Sequence, residues 1–477
     1  MYEIGHFIGG KHFAGTSGRT ANVFNPATGE VQATVALASD ADLNAAVENA
    51  KAAQPNWAAT NPQRRARVFM KFVQLLNDNM NELAEMLSRE HGKTIEDAKG
   101  DIVRGLEVCE FVIGIPHLSK SEFTEGAGPN IDMYSIRQAV GIGAGITPFN
   151  FPAMIPMWMF APAIACGNAF ILKPSERDPS VPMRLAELMI EAGLPAGILN
   201  VVNGDKSAVD AILTHPDISA VSFVGSTPIA RYVYGTAAMN GKRAQCFGGA
   251  KNHMIIMPDA DLDQAANALM GAGYGSAGER CMAISVAVPV GEETANRLIE
   301  KLTPMVESLR IGPYTDEKAD MGPVVTKEAK ERILGLINKG VEEGANLVVD
   351  GRDFKLQGYE NGISSAAACS TTSRPTWTST RPKSSALSCQ WCAPRLMRKR
   401  STCRCAMNTA MVSRSIPATA MPPATSPRGS ISGWSASTFR SRCRSPITPS
   451  AAGSPRPSAT STSMARIRSS SGPAPRR

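Results

Sequence analysis

The acidic residues of this 477-residue chain end at Glu360, while basic residues continue to the C-terminus. Residues 363–477 contain 18 Lys and Arg and no Asp or Glu, whereas residues 1–362 contain the other 32 basic and all 42 acidic residues. The net charge is therefore +18 after Gly362 and −10 before it. Two kinds of sequence are joined near Gly362, and only the first has the composition of an α/β enzyme of two or three domains.

Residues 363–477 are rich in Ser, Thr, Pro, Arg and Ala, and they hold six of the ten cysteines without a pairing pattern. They show no useful length of the 3.6-residue or 2-residue apolar period of helices and strands. One interpretation is a disordered basic tail that binds nucleic acid. We favour a shifted reading frame, and in either case we predict a disordered tail.

The shifted frame can be examined on the sequence itself. When the free third base of each codon is joined to the first two bases of the next, residues 382–388 can be translated as EIFGPV. In the same way, codons around residues 411–415 can give NGVAIYT, and residues 449–457 can give FGGWKSSS. The free base makes each single match weak, but several matches in order are hard to obtain by chance.

An uncharged segment from Ala139 to Leu172 suggests a membrane-spanning helix at first sight. Prolines at positions 148, 152, 156 and 162 interrupt it, and Asn150 and Asn168 would need partners in lipid. We therefore predict a buried strand, turn and helix, with no membrane partner. The N-terminus has no signal-peptide pattern, and the four scattered cysteines before Gly362 suit reduced thiols, so we expect a cytoplasmic protein without a metal site.

The periodicity of the first part predicts an α/β fold. Three helices are predicted early: Asp40–Ala53 with an Asp cap, Pro62–His91 as one long helix, and Thr94–Phe111. An extended segment follows over Glu122–Gln138, and after Val140 strands alternate with helices, which predicts a parallel sheet covered on both faces. A second α/β unit begins beyond Asn252. Parallel sheets bind ligands at the C-terminal ends of their strands.

The sequence GSAGERCM, residues 275–282, holds the candidate nucleophile. Cys281 follows a glycine-containing stretch and is adjacent to Arg280, and a nearby positive charge favours the reactive thiolate. A lone cysteine is more often a small core residue. We interpret the other three cysteines of the first part in that way, because they lie in apolar or amphipathic runs.

Three further motifs follow predicted strands. Asn150, in ITPFNFP, could donate to an oxyanion, or it could stabilise a turn. Lys173 and Glu176, in LKPSERDP, could bind ribose hydroxyls or lie in an exposed loop. Gly225 and Ser226, in SFVGST, precede a predicted helix whose N-terminus could bind phosphate. The last motif is not the GxGxxG pattern and is weak by itself.

Together and in this order, TPFNFP, LKPSE, FVGST and GERC resemble motifs of the aldehyde dehydrogenase superfamily. The resemblance covers about Phe7 to Gly362, and the rephased EIFGPV and FGGWKSS look like the family's C-terminal motifs. It implies a Rossmann-type NAD-binding domain over 1–120 and 141–246, an oligomerisation strand segment over 121–140, and the first part of an α/β catalytic domain over 247–362. Residues 363–477 would leave that domain incomplete.

The resemblance also implies the role of each motif residue. Cys281 would be the nucleophile, and Asn150 with the Cys281 backbone N–H would form the oxyanion hole. Lys173 and Glu176 would hold the adenosine ribose, and Gly225 and Ser226 would lie by the pyrophosphate. The full set of implied NAD-binding residues is Thr147, Phe149, Lys173, Glu176, Arg177, Gly225, Ser226 and Gly248, with Thr147 and Phe149 on the nicotinamide side.

One departure from the family pattern narrows the expected function. Hydrolytic members have a glutamate at the start of a motif of the form ELGGK, where this chain has FGGAK with Phe247 first. A phenylalanine cannot activate water, so a thiol such as coenzyme A would take the acyl group. FGGAKNH and GERCM resemble the coenzyme-A-acylating methylmalonate-semialdehyde dehydrogenases of this family. In that branch, arginines corresponding to Arg104 and Arg280 would grip the substrate carboxylate, although Arg104 alone would be interpreted as a helix-surface residue.

The resemblance thus implies NAD- and coenzyme-A-dependent oxidation of a small semialdehyde by a homotetramer, with no nucleic-acid partner. Three alternatives stay open: a hydrolytic semialdehyde dehydrogenase, a nucleic-acid-binding protein that acts through its basic tail, and an inactive product of the shifted frame. Product analysis with and without coenzyme A separates the first from the expected enzyme, and salt-dependent DNA binding by the tail tests the second.

Overall fold

A computed structural model of the protein describes residues 2–365, 367–373, 388–392 and 464–467. Its strands are β1 Tyr2–Ile4, β2 His6–Ile8, β3 Lys11–Phe13, β4 Thr20–Phe24, β5 Val31–Ala36, β6 Phe123–Gly128, β7 Ile131–Tyr134, β8 Ile142–Ile146, β9 Ala169–Lys173, β10 Leu199–Val201, β11 Ile218–Val224, β12 Arg243–Phe247, β13 Asn252–Ile256, β14 Ile284–Pro289, β15 Asn346–Val349, β16 Ala368–Ser373, β17 Ser388–Cys392 and β18 Met464–Ile467. Its α-helices are α1 Asp40–Ala59, α2 Pro62–Asp78, α3 Met80–His91, α4 Ile95–Ile113, α5 Ile115–Leu118, α6 Met154–Ala165, α7 Ser180–Glu191, α8 Lys206–Thr214, α9 Thr227–Met239, α10 Leu262–Tyr274, α11 Glu292–Glu307 and α12 Lys327–Glu342. A 3-10 turn spans Gly275–Gly278.

The larger sheet has seven strands in the order β12–β11–β8–β9–β10–β2–β3. The strands from β12 to β10 are parallel, and β2 and β3 close one edge as an antiparallel hairpin. Every residue of β8 and β9 is buried, as expected for central strands covered on both faces. The predicted parallel α/β sheet is confirmed.

Helix α1 begins with a serine cap, so the predicted Asp cap is wrong. Ser39 Oγ accepts from the Asp42 backbone N–H at 3.2 Å, and the Asp42 carboxylate accepts from the Ser39 N–H at 2.8 Å, which forms a capping box. Asp40 is instead the first helical residue, where its charge favours the positive end of the helix. Serine and aspartate are both common N-cap residues. The start of the helix could therefore be predicted from the sequence, but not which of the two adjacent residues caps it.

The single helix predicted over Pro62–His91 is two helices, α2 and α3, which meet at Asn79. The Asn79 backbone has φ −104° and ψ 14°, and its Nδ2 donates to the Leu75 carbonyl oxygen at 2.7 Å. An asparagine side chain competes in this way with main-chain helix bonds. The apolar period runs through the break, so periodicity alone did not reveal it.

Helices α4 and α6 pack closely against each other, and this contact positions the loop between β8 and α6. A Cβ at Gly105 would lie 2.2 Å from Met157 Cε and 3.1 Å from Met154 Cα, so any larger residue would require the Met157 side chain to move and the two helices to shift slightly apart. Asp101 is buried one turn earlier on α4 and accepts from the Met154 backbone N–H at 2.7 Å. Helix α4 therefore holds the first turn of α6, directly after the ITPFNFP motif.

The second large sheet has five strands in the order β13–β14–β17–β16–β15, parallel except for β15. Helices α10 and α11 contribute to a separate core around Leu269, Leu298 and Leu302. Strands β16 and β17 lie within residues 363–477, which were predicted to be disordered. These two short segments of the tail form strands instead. Backbone groups make the ladder bonds, and a strand can therefore pair without an apolar period. Most of the tail lies outside the described residues.

Two small sheets complete the described part of the chain. Strands β1, β5 and β4 form one of them, with β1 parallel and β4 antiparallel to β5. Strands β6, β7 and β18 form an antiparallel sheet in a compact unit of its own that includes Ser121–Arg137. The predicted extended segment Glu122–Gln138 therefore contains the hairpin of β6 and β7.

Within the described ranges, no helix has the length and apolar character needed to cross a membrane. The uncharged segment from Ala139 to Leu172 contains β8, α6 and most of β9, which confirms the predicted strand, turn and helix. The limits of the NAD-binding, oligomerisation and catalytic domains stay predictions.

Candidate active site

Cys281 lies between the 3-10 turn and β14 and is partly buried. Its side chain packs against an apolar cluster at the start of α6, formed by Phe151, Met154 and Ile155. Its carbonyl oxygen accepts from Asn252 Nδ2 at 3.0 Å, which ties it to β13. The candidate nucleophile thus contacts the end of the β8–α6 loop, which follows a strand of the larger sheet.

The residues before Cys281 have an unusual backbone. Ser276 and Ala277 have φ values of 51° and 52°, in the left-handed region that residues with side chains rarely adopt. The Ser276 N–H donates to Asp97 Oδ2 at 3.0 Å, and the Asp97 carboxylate also pairs with the Arg280 guanidinium. A carboxylate from α4 therefore holds a strained turn just before the candidate nucleophile.

Asn150 brings two distant motifs together. Its Nδ2 donates to the Glu279 carbonyl oxygen at 2.7 Å, so the ITPFNFP and GERCM motifs meet. Its own carbonyl oxygen accepts from Lys93 Nζ at 2.8 Å, and its buried Oδ1 has no hydrogen-bond partner among the described residues. The side-chain amide is directed at the segment that carries Cys281, and its oxyanion role stays a prediction that this contact supports.

Glu279 is a buried carboxyl that the sequence analysis missed. Burial raises the pKa of its side chain to about 7, against an opposing effect of Lys93. Its Oε2 is buried and has no hydrogen-bond partner among the described residues. The signal in the sequence was an acidic residue between a glycine-containing turn and a predicted buried segment. In the GSAGERCM motif, however, only Arg280 and Cys281 were assigned a chemical role.

The predicted NAD-binding residues lie at or just beyond the C-terminal ends of β8, β9, β11 and β12, where parallel sheets bind ligands. The Thr147 N–H donates to the Lys173 carbonyl oxygen at 3.1 Å, and the buried Thr147 Oγ1 has no partner among the described residues. Lys173 is buried, and its Nζ lies 3.2 Å from Oε2 of the more exposed Glu176. The two residues predicted to hold ribose therefore contact each other.

Phe149 contacts a histidine and an arginine side chain. Its ring centroid is 6.2 Å from that of His91, and the Arg177 guanidinium carbon is 5.2 Å from the Phe149 ring centre. Burial, aided by Lys93, holds the pKa of His91 well below its ordinary value. The contact with a neutral imidazole and the cation–π contact with Arg177 restrict the Phe149 ring. His91 was not among the predicted site residues, because a histidine at the end of a helix gives no specific signal in the sequence.

The turn after β11 combines an uncapped helix with close glycine contacts. Ser226 precedes α9, and its side chain makes no cap hydrogen bond. The Gly225 N–H donates to the Phe247 carbonyl oxygen at 3.1 Å. A Cβ at Gly248 would lie 2.9 Å from Thr227 Oγ1, so a glycine lets this segment approach the start of α9. A helix N-terminus of this kind suits an anionic group.

The two arginines predicted to grip a carboxylate already have protein partners. The Arg280 guanidinium pairs with Asp97, and its Nη1 donates to the Gly271 carbonyl oxygen at 3.2 Å. Arg104 is exposed, and its Nη1 donates to the Gly100 carbonyl oxygen at 2.9 Å, one turn earlier in α4. The Arg280–Asp97 pair was not foreseen. A bound carboxylate would therefore share the Arg280 guanidinium with Asp97.

Phe247, the residue that the resemblance sets against the glutamate of hydrolytic members, ends strand β12. Its side chain is exposed, at 54% of its full accessible surface. An apolar ring at this exposure contributes little to the core, and it offers no proton acceptor at the end of the strand.

Comparison with known proteins gives a consistent result. The model of the aldehyde dehydrogenase family matches residues 13–372. A malonate-semialdehyde dehydrogenase of Pseudomonas aeruginosa is 54% identical over 363 residues, which cover 76% of this chain and 73% of the relative. The human mitochondrial methylmalonate-semialdehyde/malonate-semialdehyde dehydrogenase (acylating) is 44% identical over 356 residues, which cover 75% of this chain and 66% of the relative.

Two solved structures are similar in fold and sequence. A structure from Sinorhizobium meliloti 1021, described as a methylmalonate-semialdehyde dehydrogenase complexed with NAD, has a TM-score of 0.81 at 85% identity, covering 82% of this chain and 80% of the other. A methylmalonate-semialdehyde dehydrogenase from Oceanimonas doudoroffii has a TM-score of 0.83 at 46% identity, covering 86% of this chain and 83% of the other.

Proposed function

Because the chain belongs to the aldehyde dehydrogenase family, we propose that the enzyme oxidises methylmalonate semialdehyde and malonate semialdehyde with NAD and coenzyme A. The products are propanoyl-CoA and acetyl-CoA; the substrate carboxylate leaves as carbon dioxide, and a proton from water takes its place on the α-carbon. The observation that carries the proposal is the hydrogen bond from Asn150 Nδ2 to the Glu279 carbonyl oxygen, because it brings the oxyanion amide to the segment of the nucleophile. The names of the relatives support the substrate class.

In the proposed mechanism, the Cys281 thiolate adds to the aldehyde carbon and the carbonyl oxygen becomes an oxyanion. The Asn150 side-chain amide and the Cys281 backbone N–H donate to this oxyanion. When bound, NAD supplies the acceptor for the hydride that the adduct releases, and the acyl group remains as a thioester on Cys281. The apolar cluster beside Cys281 restricts the access of water to that thioester.

Several features fit a bound dinucleotide. The buried Thr147 Oγ1 lacks a partner among the described residues, the helix α9 has no side-chain cap, and a Cβ at Gly248 would be too close to Thr227. The residues that would hold NAD are Lys173 and Glu176 at the ribose, Gly225 and Ser226 at the pyrophosphate, and Thr147 and Phe149 towards the nicotinamide, with Arg177 and Gly248 as further members of the set.

The proposed acyl acceptor follows from Phe247. Its ring offers no base for water, so the coenzyme A thiolate attacks the thioester carbonyl and Cys281 leaves as a thiolate. Arg280 and Arg104 bind the substrate carboxylate before it leaves as carbon dioxide. The family homotetramer and a cytoplasmic location are part of the same proposal.

Product analysis tests the proposal on full-length protein, both as the printed sequence and with the reading frame restored after Gly362. With methylmalonate semialdehyde and NAD, NADH should form in a burst of about one per active site without coenzyme A and continuously with it. Mass spectrometry should identify propanoyl-CoA. A Cys281→Ala variant should form no NADH, while the matched Cys166→Ala variant, altered at an exposed cysteine, should retain activity. Equal steady rates without coenzyme A, with a free acid as product, would establish the hydrolytic alternative.

A further inference from the structure

The loop that carries Asn150 is held by a buried ion pair that has no part in the mechanism above. The Lys93 and Asp101 side chains are 1% and 0% exposed, and Lys93 Nζ lies 3.3 Å from Asp101 Oδ2. Removing two charges from water is unfavourable, and an apolar pair of similar size is often as stable. Stability alone is therefore a weak explanation for this pair, and its other contacts become informative.

The ion pair holds the loop at two points. Lys93 Nζ donates to the Asn150 carbonyl oxygen at 2.8 Å and lies 4.8 Å from the centre of the Phe151 ring. Asp101 Oδ1 accepts from the Met154 backbone N–H at 2.7 Å. Ala153, the residue at the N-cap of α6, provides no side-chain cap, so Asp101 performs that role from another helix. The backbone on both sides of the loop is thereby fixed to α4 and the segment just before it.

We propose that Lys93 and Asp101 are positioning residues that orient the Asn150 side chain as an oxyanion donor. This inference rests on the oxyanion role of Asn150 in the proposed function. With its carbonyl oxygen held by Lys93, Asn150 directs Nδ2 across to the Glu279 carbonyl oxygen at 2.7 Å, towards the segment that carries Cys281. Without the ion pair, the peptide at Asn150 could rotate and the amide would lose this direction.

Two reactions of Cys281 separate orientation of the oxyanion donor from reactivity of the thiol. Acylation by p-nitrophenyl acetate passes through an oxyanion, and its release of p-nitrophenolate can be followed as a burst. Alkylation by iodoacetamide displaces iodide and forms no oxyanion. Neither reaction needs NAD, coenzyme A or a semialdehyde, so the test is informative even where the proposed substrate is not oxidised.

The experiment compares Lys93→Met with Lys93→Arg, Asp101→Asn and the reference variant Asn150→Ala, in the full-length chain. Lys93→Met should slow acylation by roughly 10- to 100-fold and change alkylation by less than about 2-fold, because only the oxyanion donor is misplaced. Asn150→Ala should reproduce this pattern, and Lys93→Arg should restore part of the acylation rate. The matched control is Lys99→Met, which removes a more exposed lysine and its contact with Glu96 on the same helix.

Three outcomes would overturn the inference. They are an unchanged acylation rate in Lys93→Met, an equal loss of acylation and alkylation, or a loss of acylation in Lys93→Met when Asn150 is already alanine. If Lys93→Met is insoluble, the double variant Lys93→Met with Asp101→Asn, which leaves no unpaired buried charge, decides the question by the same two rates.

Discussion

The two large sheets of this protein are encoded in different ways. In the seven-stranded sheet, β8 and β9 are buried at every position, and continuous apolar runs specify them. In the five-stranded sheet, only Ile256 is buried in β13 and no residue is buried in β15. Two of its strands, β16 and β17, come from the segment that lacks acidic residues. Four of the six residues of β14 are also buried, so both sheets have a buried central strand, and they differ most in the origin of β16 and β17.

The largest expected effect concerns the source of β16 and β17. We predict that the gene, sequenced across the codons for Tyr359 to Ala368, differs by one base from the frame that encodes residues 363–477. The restored protein, which contains the EIFGPV and FGGWKSS motifs, should form NADH roughly 10³-fold faster than the 477-residue chain, because its catalytic domain is then complete and can position the reacting groups.

Steady-state NADH formation and size-exclusion chromatography of both proteins measure this difference. The restored protein should elute as a tetramer. The prediction would be contradicted if the gene sequence is unchanged and the 477-residue chain has full activity. Strands β16 and β17 of the present sequence would then be sufficient for an active enzyme.

The same contrast explains how much of the fold could be predicted. Strand and helix alternation after Val140 identified the central strands of the larger sheet, because β8 and β9 are largely apolar and helices separate the strands. The helix break at Asn79 and the cap at Ser39 were not predicted. Each depends on a hydrogen bond between one side chain and the nearby backbone, which apolar periodicity does not reveal. Strands β16 and β17 could not be predicted from periodicity, because their ladder bonds use the backbone alone.

The candidate site was predictable where a motif lies at a strand end. Asn150 was predicted from a motif just past a strand end, and Cys281 from a glycine-containing stretch beside Arg280; the hydrogen bond from Asn150 to Glu279 brings their segments together. Lys93 was missed because its importance depends on a contact with Asn150, 57 positions away in the chain. Asp101 gave one signal, a carboxylate on the apolar face of α4, whose meaning depends on the packing of α6.

The second prediction compares one buried side chain in each sheet. Leu172 in β9 is fully buried, and Leu172→Ala should lower the free energy of unfolding by roughly 3–5 kcal/mol. Cys369 in β16 is also buried, and Cys369→Ala should lower it by about 1 kcal/mol, because one sulfur atom is removed. Urea unfolding measures both values. No effect of Cys369→Ala would argue that β16 adds nothing to stability.

The third prediction concerns the pH dependence of stability that Glu279, two residues before Cys281, contributes. The pKa of Glu279 is raised from 4.5 to about 7 by burial, so the folded state holds its proton where the unfolded state has lost it. The unfolding free energy therefore falls as pH rises between these values, by about 2 kcal/mol from pH 5.5 to pH 8. Glu279→Gln should remove this component, as measured by urea unfolding at both pH values. An identical pH dependence in the variant would mean that Glu279 does not take up a proton in the folded state.

The smallest expected effect tests whether the two sheets unfold together. Ser39 caps α1, which packs on the larger sheet. Asp261 Oδ1 accepts from the Asp263 and Gln264 N–H groups, at 3.0 and 3.1 Å, to cap α10, which packs on β14 of the second sheet. Ser39→Ala and Asp261→Ala should each lower the free energy of unfolding by about 1 kcal/mol. Because β13 and β15 have only one buried residue between them, we expect the second sheet and its helices to unfold first, as a separate transition. Asp261→Ala should then shift the lower denaturant midpoint and Ser39→Ala the upper one, as followed by hydrogen exchange of peptides from each sheet. If both substitutions shift a single transition equally, the two sheets are one cooperative unit, and the difference in burial between their strands does not divide the folding of the chain.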